Sequence, residues 1–176
     1  MRVLLLIMCF ATLSPPVWSV ELFGVALTQA NKGNLGMAAR AAGAKLLDTD
    51  RPELYEVFDS TEVLSESTFL YLGFDAQDNA FAFAEYHIHP LSHRRMLSKL
   101  KRKYGAPAEK KGKFISDQLY RWQQDGVEIS YQRQFGCRCS ALRYSVPSKL
   151  EMVRQQHRQV QKQRLEEDLD AQQAAY

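Results

Sequence analysis

Two helical stripes, each stopped by a glycine, recur 62 residues apart, at Gly43 and Gly105, and strand-like segments follow both. In the first pass Asn31 is placed to cap a helix that carries Leu35, Ala38, Ala39 and Ala42 at helical spacing, and Gly43 ends it. Segments 54–58, 68–74 and 80–88 then read as strands, with the polar run 75–79 as the turn of a hairpin. The second pass opens at Ser92, where Met96, Leu97, Leu100 and Tyr104 form a stripe beneath a basic face, and Gly105 and Pro107 stop it. Segments 118–122, 127–133 and 141–146 follow as strands, the first two joined at Gln124, Asp125 and Gly126. Two copies of so long a unit point to one pseudo-symmetric layer, not a solenoid. The expected fold class is therefore α+β: an antiparallel sheet from two helix-plus-three-strand units, helices on one face, and a polar C-terminal helix.

The chain begins with a short basic start at Arg2 and an apolar run over 3–13, which Ser14, Pro15 and Pro16 break. That run is about half of what a membrane-spanning helix needs, and Val17 and Ser19 are small residues where a signal peptidase reads. Residues 1–19 are read as a signal peptide, which makes the chain exported, periplasmic or secreted, with a mature start near Val20. The single α+β domain spans 20–147, in halves 20–91 and 92–147. Residues 148–176 form a polar helical tail with a weak stripe of Leu150, Val153, His157 and Val160. Cys9 invites acylation, but Met8 stands before it where a small residue is expected.

Charge is balanced overall and unbalanced along the chain. Residues 20–93 carry 4 basic and 11 acidic side chains, whereas 94–113 carry 9 basic and one acidic. The cations Arg94, Arg95, Lys99, Lys101, Arg102 and Lys103 are the candidate binding surface. Outside the cytoplasm their polyanions are lipid headgroups and lipopolysaccharide rather than nucleic acid, although most such runs are simply a solvated face, and the acidic first half offers an internal partner.

Three further constellations carry chemistry. Glu85, His87 and His89 alternate along one strand and His93 lies just beyond, so these four are the candidate metal ligands, against the plainer reading of a strand end reaching solvent. Cys137 and Cys139 are the only cysteines after the leader, and an exported chain favours a bridge between them, either as a local staple or as a reducible redox centre. Tyr86, Tyr120, Trp122, Tyr131 and Tyr144 read as core or sheet-face aromatics. The chain has no Gly-rich phosphate loop, GxSxG elbow or HExxH helix, so no enzyme activity and no cofactor is expected.

The segments LFGVAL, KYGAP, YRWQQDGVEISY and LRYSVP resemble a pattern of small exported bacterial proteins of unassigned function. The helix, glycine and strand order, given twice, resembles the fold of the β-lactamase inhibitor protein and, counted once, the small lipoproteins that assist outer-membrane assembly. The resemblance is at the level of fold. It implies non-catalytic binding of a protein or cell-envelope component through an open sheet face or the tail. The competing expectations are a metal-binding protein using His87 and His89 and a thiol-redox factor using Cys137 and Cys139.

Overall fold

A computed structural model describes residues 19–47, 55–114, 117–134 and 139–174. The expected leader up to residue 18, with Cys9, and Cys137 lie outside the described residues. A two-rung hairpin, β1 (Glu21–Leu22) with β2 (Val25–Ala26), opens the chain. Its turn residues Phe23 and Gly24 both have positive φ, the geometry that matches the twist of paired strands. Helix α1 (Lys32–Ala41) begins at Asn31, whose side chain accepts from the Asn34 N–H at 3.0 Å while Asn34 Oδ1 accepts from the Asn31 N–H at 2.8 Å. This reciprocal box satisfies two N–H groups that a helix start leaves without partners. Leu35, Gly36 and Ala39 face inward, and Gly43 leaves the helix with φ of 103°.

The main sheet is formed by β3 (Lys45–Leu47), β4 (Glu56–Asp59), β5 (Ser67–Phe74), β6 (Phe81–Ile88), β7 (Glu109–Lys111), β8 (Leu119–Gln124), β9 (Val127–Arg133) and β10 (Ser140–Ser145). All pairs are antiparallel, in the order β3-β4-β5-β6-β10-β9-β8-β7. Helix α2 (His93–Tyr104) stands between β6 and β7, and α3 (Pro147–Ala174) follows β10. Each glycine-stopped helix is followed by four strands where three were expected. The additional ones, β3 and β7, are the outer edges of the sheet, three residues each and carrying Lys45, Lys110 and Lys111. Short, charged edges give little hydrophobic alternation to read and discourage pairing with another chain.

Residues opposite one another in register share a face. One row runs Phe58, Leu70, Tyr86, Leu142, Tyr131 and Tyr120 across six strands, and all six belong to a single core with Leu35, Ala39, Met96 and Leu100 from α1 and α2. Ala84, Tyr86 and Ile88 thus make the core side of β6. Tyr86, Tyr120, Trp122, Tyr131 and Tyr144 are all buried there, as core aromatics. The next row, Val57, Tyr71, Glu85, Arg143, Ser130 and Arg121, lies on the opposite face. That face is mostly polar, and the first turns of α3 lie across β5 and β6 over it. No helix among the described residues is long and apolar enough to cross a membrane.

Candidate functional site

The centre of the second face is Glu85 on β6. Register places Arg143 of β10 directly beside it, and Arg143 Nε donates to Glu85 Oε2 at 2.7 Å, with Nη2 reaching the same oxygen. On the other carboxylate oxygen, His87 Nε2 sits at 3.1 Å and Gln134 Nε2 donates at 3.3 Å. Burial pushes the Glu85 carboxyl upward, but the His87 hydrogen bond and the Arg143 guanidinium outweigh it and hold it below its ordinary pKa. An ionised carboxylate only accepts, so His87 presents its protonated nitrogen to Glu85.

Aromatic rings surround this polar knot. Tyr71 stands opposite Glu85 on β5, its ring 4.7 Å from that of His87 and 5.4 Å, edge-on, from Tyr55. Burial first, then the neighbouring Tyr55 and Glu85, raises the Tyr71 phenol above its ordinary value. The Arg143 guanidinium lies 6.0 Å above the Phe83 ring. From α3, Leu150, Arg154 and His157 close the cleft, and His157 meets Tyr55 at 6.2 Å. The open cleft has a volume of about 390 Å³. A second recess of about 380 Å³ lies toward β8 and β9 and shares Arg143, Leu150 and Arg154 with the first, so the two form one groove under α3.

The helix that roofs the groove is fastened at two points. Fully buried Asp75, at the β5–β6 turn, accepts from Lys149 Nζ at 2.8 Å and from Gln156 Nε2 at 3.0 Å. Asp78 takes a further bond from Lys149 at 2.6 Å. Lys149, Val153 and Gln156 occupy one helical stripe, with Val153 only 1% exposed between the two clamps. Leu150, Arg154 and His157 form the adjacent stripe, which is the wall of the cleft.

The candidate metal ligands are divided by the sheet, which corrects their grouping. Glu85 and His87 meet on the second face, but Glu85 is engaged by Arg143, and His89 is exposed past the end of β6. His93 is on the core side, stacked on Tyr131 at 5.0 Å with Nδ1 at 2.8 Å from Ser140 Oγ. Among the described residues no group of three His, Cys, Asp or Glu side chains could hold a metal ion. The cause is topological: alternation carries residues 85 and 87 to one face, while the chain enters α2 on the other before residue 93.

Arg94, Arg95, Lys99, Lys101, Arg102 and Lys103 are all exposed along α2. Lys99 pairs with buried Glu66, Lys101 lies 5.8 Å over the Tyr120 ring, and Lys103 lies 5.0 Å over Tyr104. Cys139 is buried, and the Gln134 N–H donates to its carbonyl at 2.9 Å. Its expected partner Cys137 is outside the described residues.

Phe83 shares the period-two face of Glu85 and His87 that the sequence shows, but Tyr55, Tyr71, Arg143 and Arg154 escaped sequence reasoning. They come from β4's approach, β5, β10 and α3, and nothing local connects them. The chain matches no protein-family model, no curated protein and no solved structure.

Proposed function

We propose that this is an exported, non-catalytic binding protein of the bacterial periplasm or cell envelope, whose ligand surface is the groove between the second face of the sheet and α3. The observation that carries this reading is the knot of Glu85, Arg143 and His87, set in an aromatic cleft whose roof is clamped by a buried aspartate. A fully committed carboxylate and a fixed wall suit recognition, which gains from side chains held in place before the ligand arrives.

We infer two equivalent halves, α1 with β3 to β6 and α2 with β7 to β10, joined where β6 pairs with β10. The export reading rests on the leader. Sequencing the protein from a periplasmic fraction should give a mature start near Val20, and an intact leader on a cytoplasmic product would refute it.

A photocrosslinking amino acid at position 157, in the cleft, should yield an adduct of defined mass in growing cells. Position 37 on exposed α1 serves as control. The same adducts from both positions, or none from the cleft, would overturn the assignment. The exposed cations of α2 favour a second contact, with an anionic lipid surface. Flotation with anionic vesicles at low salt, lost when Arg94, Arg95 and Arg102 are replaced by Gln, tests it.

A further inference from the structure

We propose that the cleft beneath α3 binds a small aromatic carboxylate, its ring among Tyr55, Tyr71 and Phe83 and its anionic group toward Arg154 and Arg143. The inference rests on the groove being the ligand surface and adds the chemical class of the ligand.

Three observations carry it. The first is shape. A volume of about 390 Å³ is at the small end of organic-ligand sites and suits one or two fused rings. The cleft's shape is also fixed in advance, because Asp75 holds Lys149 and Gln156, two turns apart on the stripe next to the lining residues.

The second is the character of the walls. Tyr55 and Tyr71 already meet edge to face at 5.4 Å, and Phe83 extends the aromatic surface beneath Arg143. Planar rings gain most from such surfaces through offset or edge contacts.

The third is charge. Glu85 is the acidic residue lining the cleft, and its charge is met within the sheet by Arg143 and His87. Arg154 adds a further cation. Arg154 approaches Glu151 at 3.7 Å, but on the exposed helix surface, where ion pairs are weak and exchange readily. Arg154 and Arg143 also line both recesses, so an anion between them sits at the middle of the groove with its ring on the aromatic side. Two guanidinium groups line the cleft against the single carboxylate of Glu85, so an anion balances a surplus positive charge that a neutral aromatic would not, and an aliphatic anion would leave the ring surfaces uncovered.

The test uses the mature protein, 2-naphthoate as probe and 2-naphthylmethanol as its uncharged counterpart, with calorimetry and amide chemical shifts as readouts. Naphthoate should bind once per chain, move the amides of Tyr71, Phe83, Leu150 and Val153, and bind about tenfold more tightly than the alcohol. Arg154→Gln changes a half-exposed side chain and leaves the clamp intact. It should weaken naphthoate about five- to tenfold and leave the alcohol unchanged. Arg158→Gln, one turn further along α3 and outside the cleft lining, should bind as the parent does. Absence of saturable shifts at millimolar naphthoate, equal affinity for the alcohol, or indifference to Arg154→Gln each overturns the proposal. If naphthoate fails while position 157 still gives a specific adduct in cells, the binding face stands and the ligand class falls. If both fail, the functional reading falls with it.

Discussion

Asp75 and Lys149 are 74 positions apart in the chain, and their 2.8 Å bond anchors the start of α3 to the β5–β6 turn. The aspartate also accepts from the Gln77 N–H at 3.0 Å and from Gln156, so its two oxygens take three donors. The Lys149 hydrogen bond, with those of Gln77 and Gln156, lowers its pKa to about 2 despite burial.

Removing the carboxylate by Asp75→Ala takes this acceptor from Gln77 and Gln156 and leaves Lys149 with Asp78 alone. Stability should fall by about 1–3 kcal/mol, with faster hydrogen exchange over 149–157 and little change in the core strands. Because the folded pKa is depressed below the ordinary value near 4, the stabilisation is complete above about pH 4 and is lost as pH falls toward 2. Asp75→Asn should flatten that part of the acid unfolding curve. A variant that keeps the parent slope between those limits would show that the clamp does not control the acid transition.

His93 produces a pH dependence in a milder range. Burial, then the charges of Arg133 and Arg94, lowers its pKa, since a proton would have to be accommodated between Tyr131 and Ser140. The unfolded chain therefore takes up the proton first, and the penalty on the folded state grows as pH falls below about 6.5. Chemical unfolding from pH 7.5 to 5.5 should show this loss, and His93→Gln should remove that component while costing some stability at neutral pH. An unchanged slope in the variant would assign the dependence to other groups.

The core was more legible in the sequence than the site. Glycine stops, the Asn31 cap and the period-two alternation of β5, β6 and β9 are local signals, and α1, α2 and the longer strands fall where those signals put them. The short edges β3 and β7 carry too few residues to display a period. On the basic helix, Lys99 draws its acidic partner Glu66 from the first half of the chain. Only the β6 part of the cleft, Phe83 with Glu85 and His87, is legible from alternation, because Tyr55, Tyr71, Arg143 and Arg154 converge on it only when register and the path of α3 are known. The His87 and His93 grouping failed for the same reason: proximity in sequence does not say on which side of a sheet the chain continues.

Gly73 shapes the floor of the cleft. It lies opposite Phe83, and a Cβ there would come within 2.0 Å of the Phe83 ring. The ring thus occupies the space a side chain would need, a common use of glycine within a strand. Gly73→Ala should cost about 1–3 kcal/mol by overpacking, and the added replacement Phe83→Ala should recover part of it. A double-mutant cycle by denaturant unfolding measures the coupling. Strict additivity would mean that the ring has room to move aside.

The two ends of α3 should respond oppositely to truncation. Residues 161–173 are exposed throughout, including Leu165 and Leu169, and their ion pair Lys162 to Glu166 is a surface contact of small worth. Ending the chain after Val160 should therefore change unfolding stability by no more than about 0.5 kcal/mol. Ending it after Val146 removes buried Val153 and takes from Asp75 its bonds to Lys149 and Gln156. Loss of a buried valine and of the clamp should together cost about 3–5 kcal/mol, enough to unfold a domain of ordinary stability at 37 °C. Circular dichroism melts of the two truncated chains decide the matter. Equal melting temperatures would mean that α3 rests on the sheet without supporting it, whereas a cooperative loss confined to the shorter chain makes its first turns part of the domain.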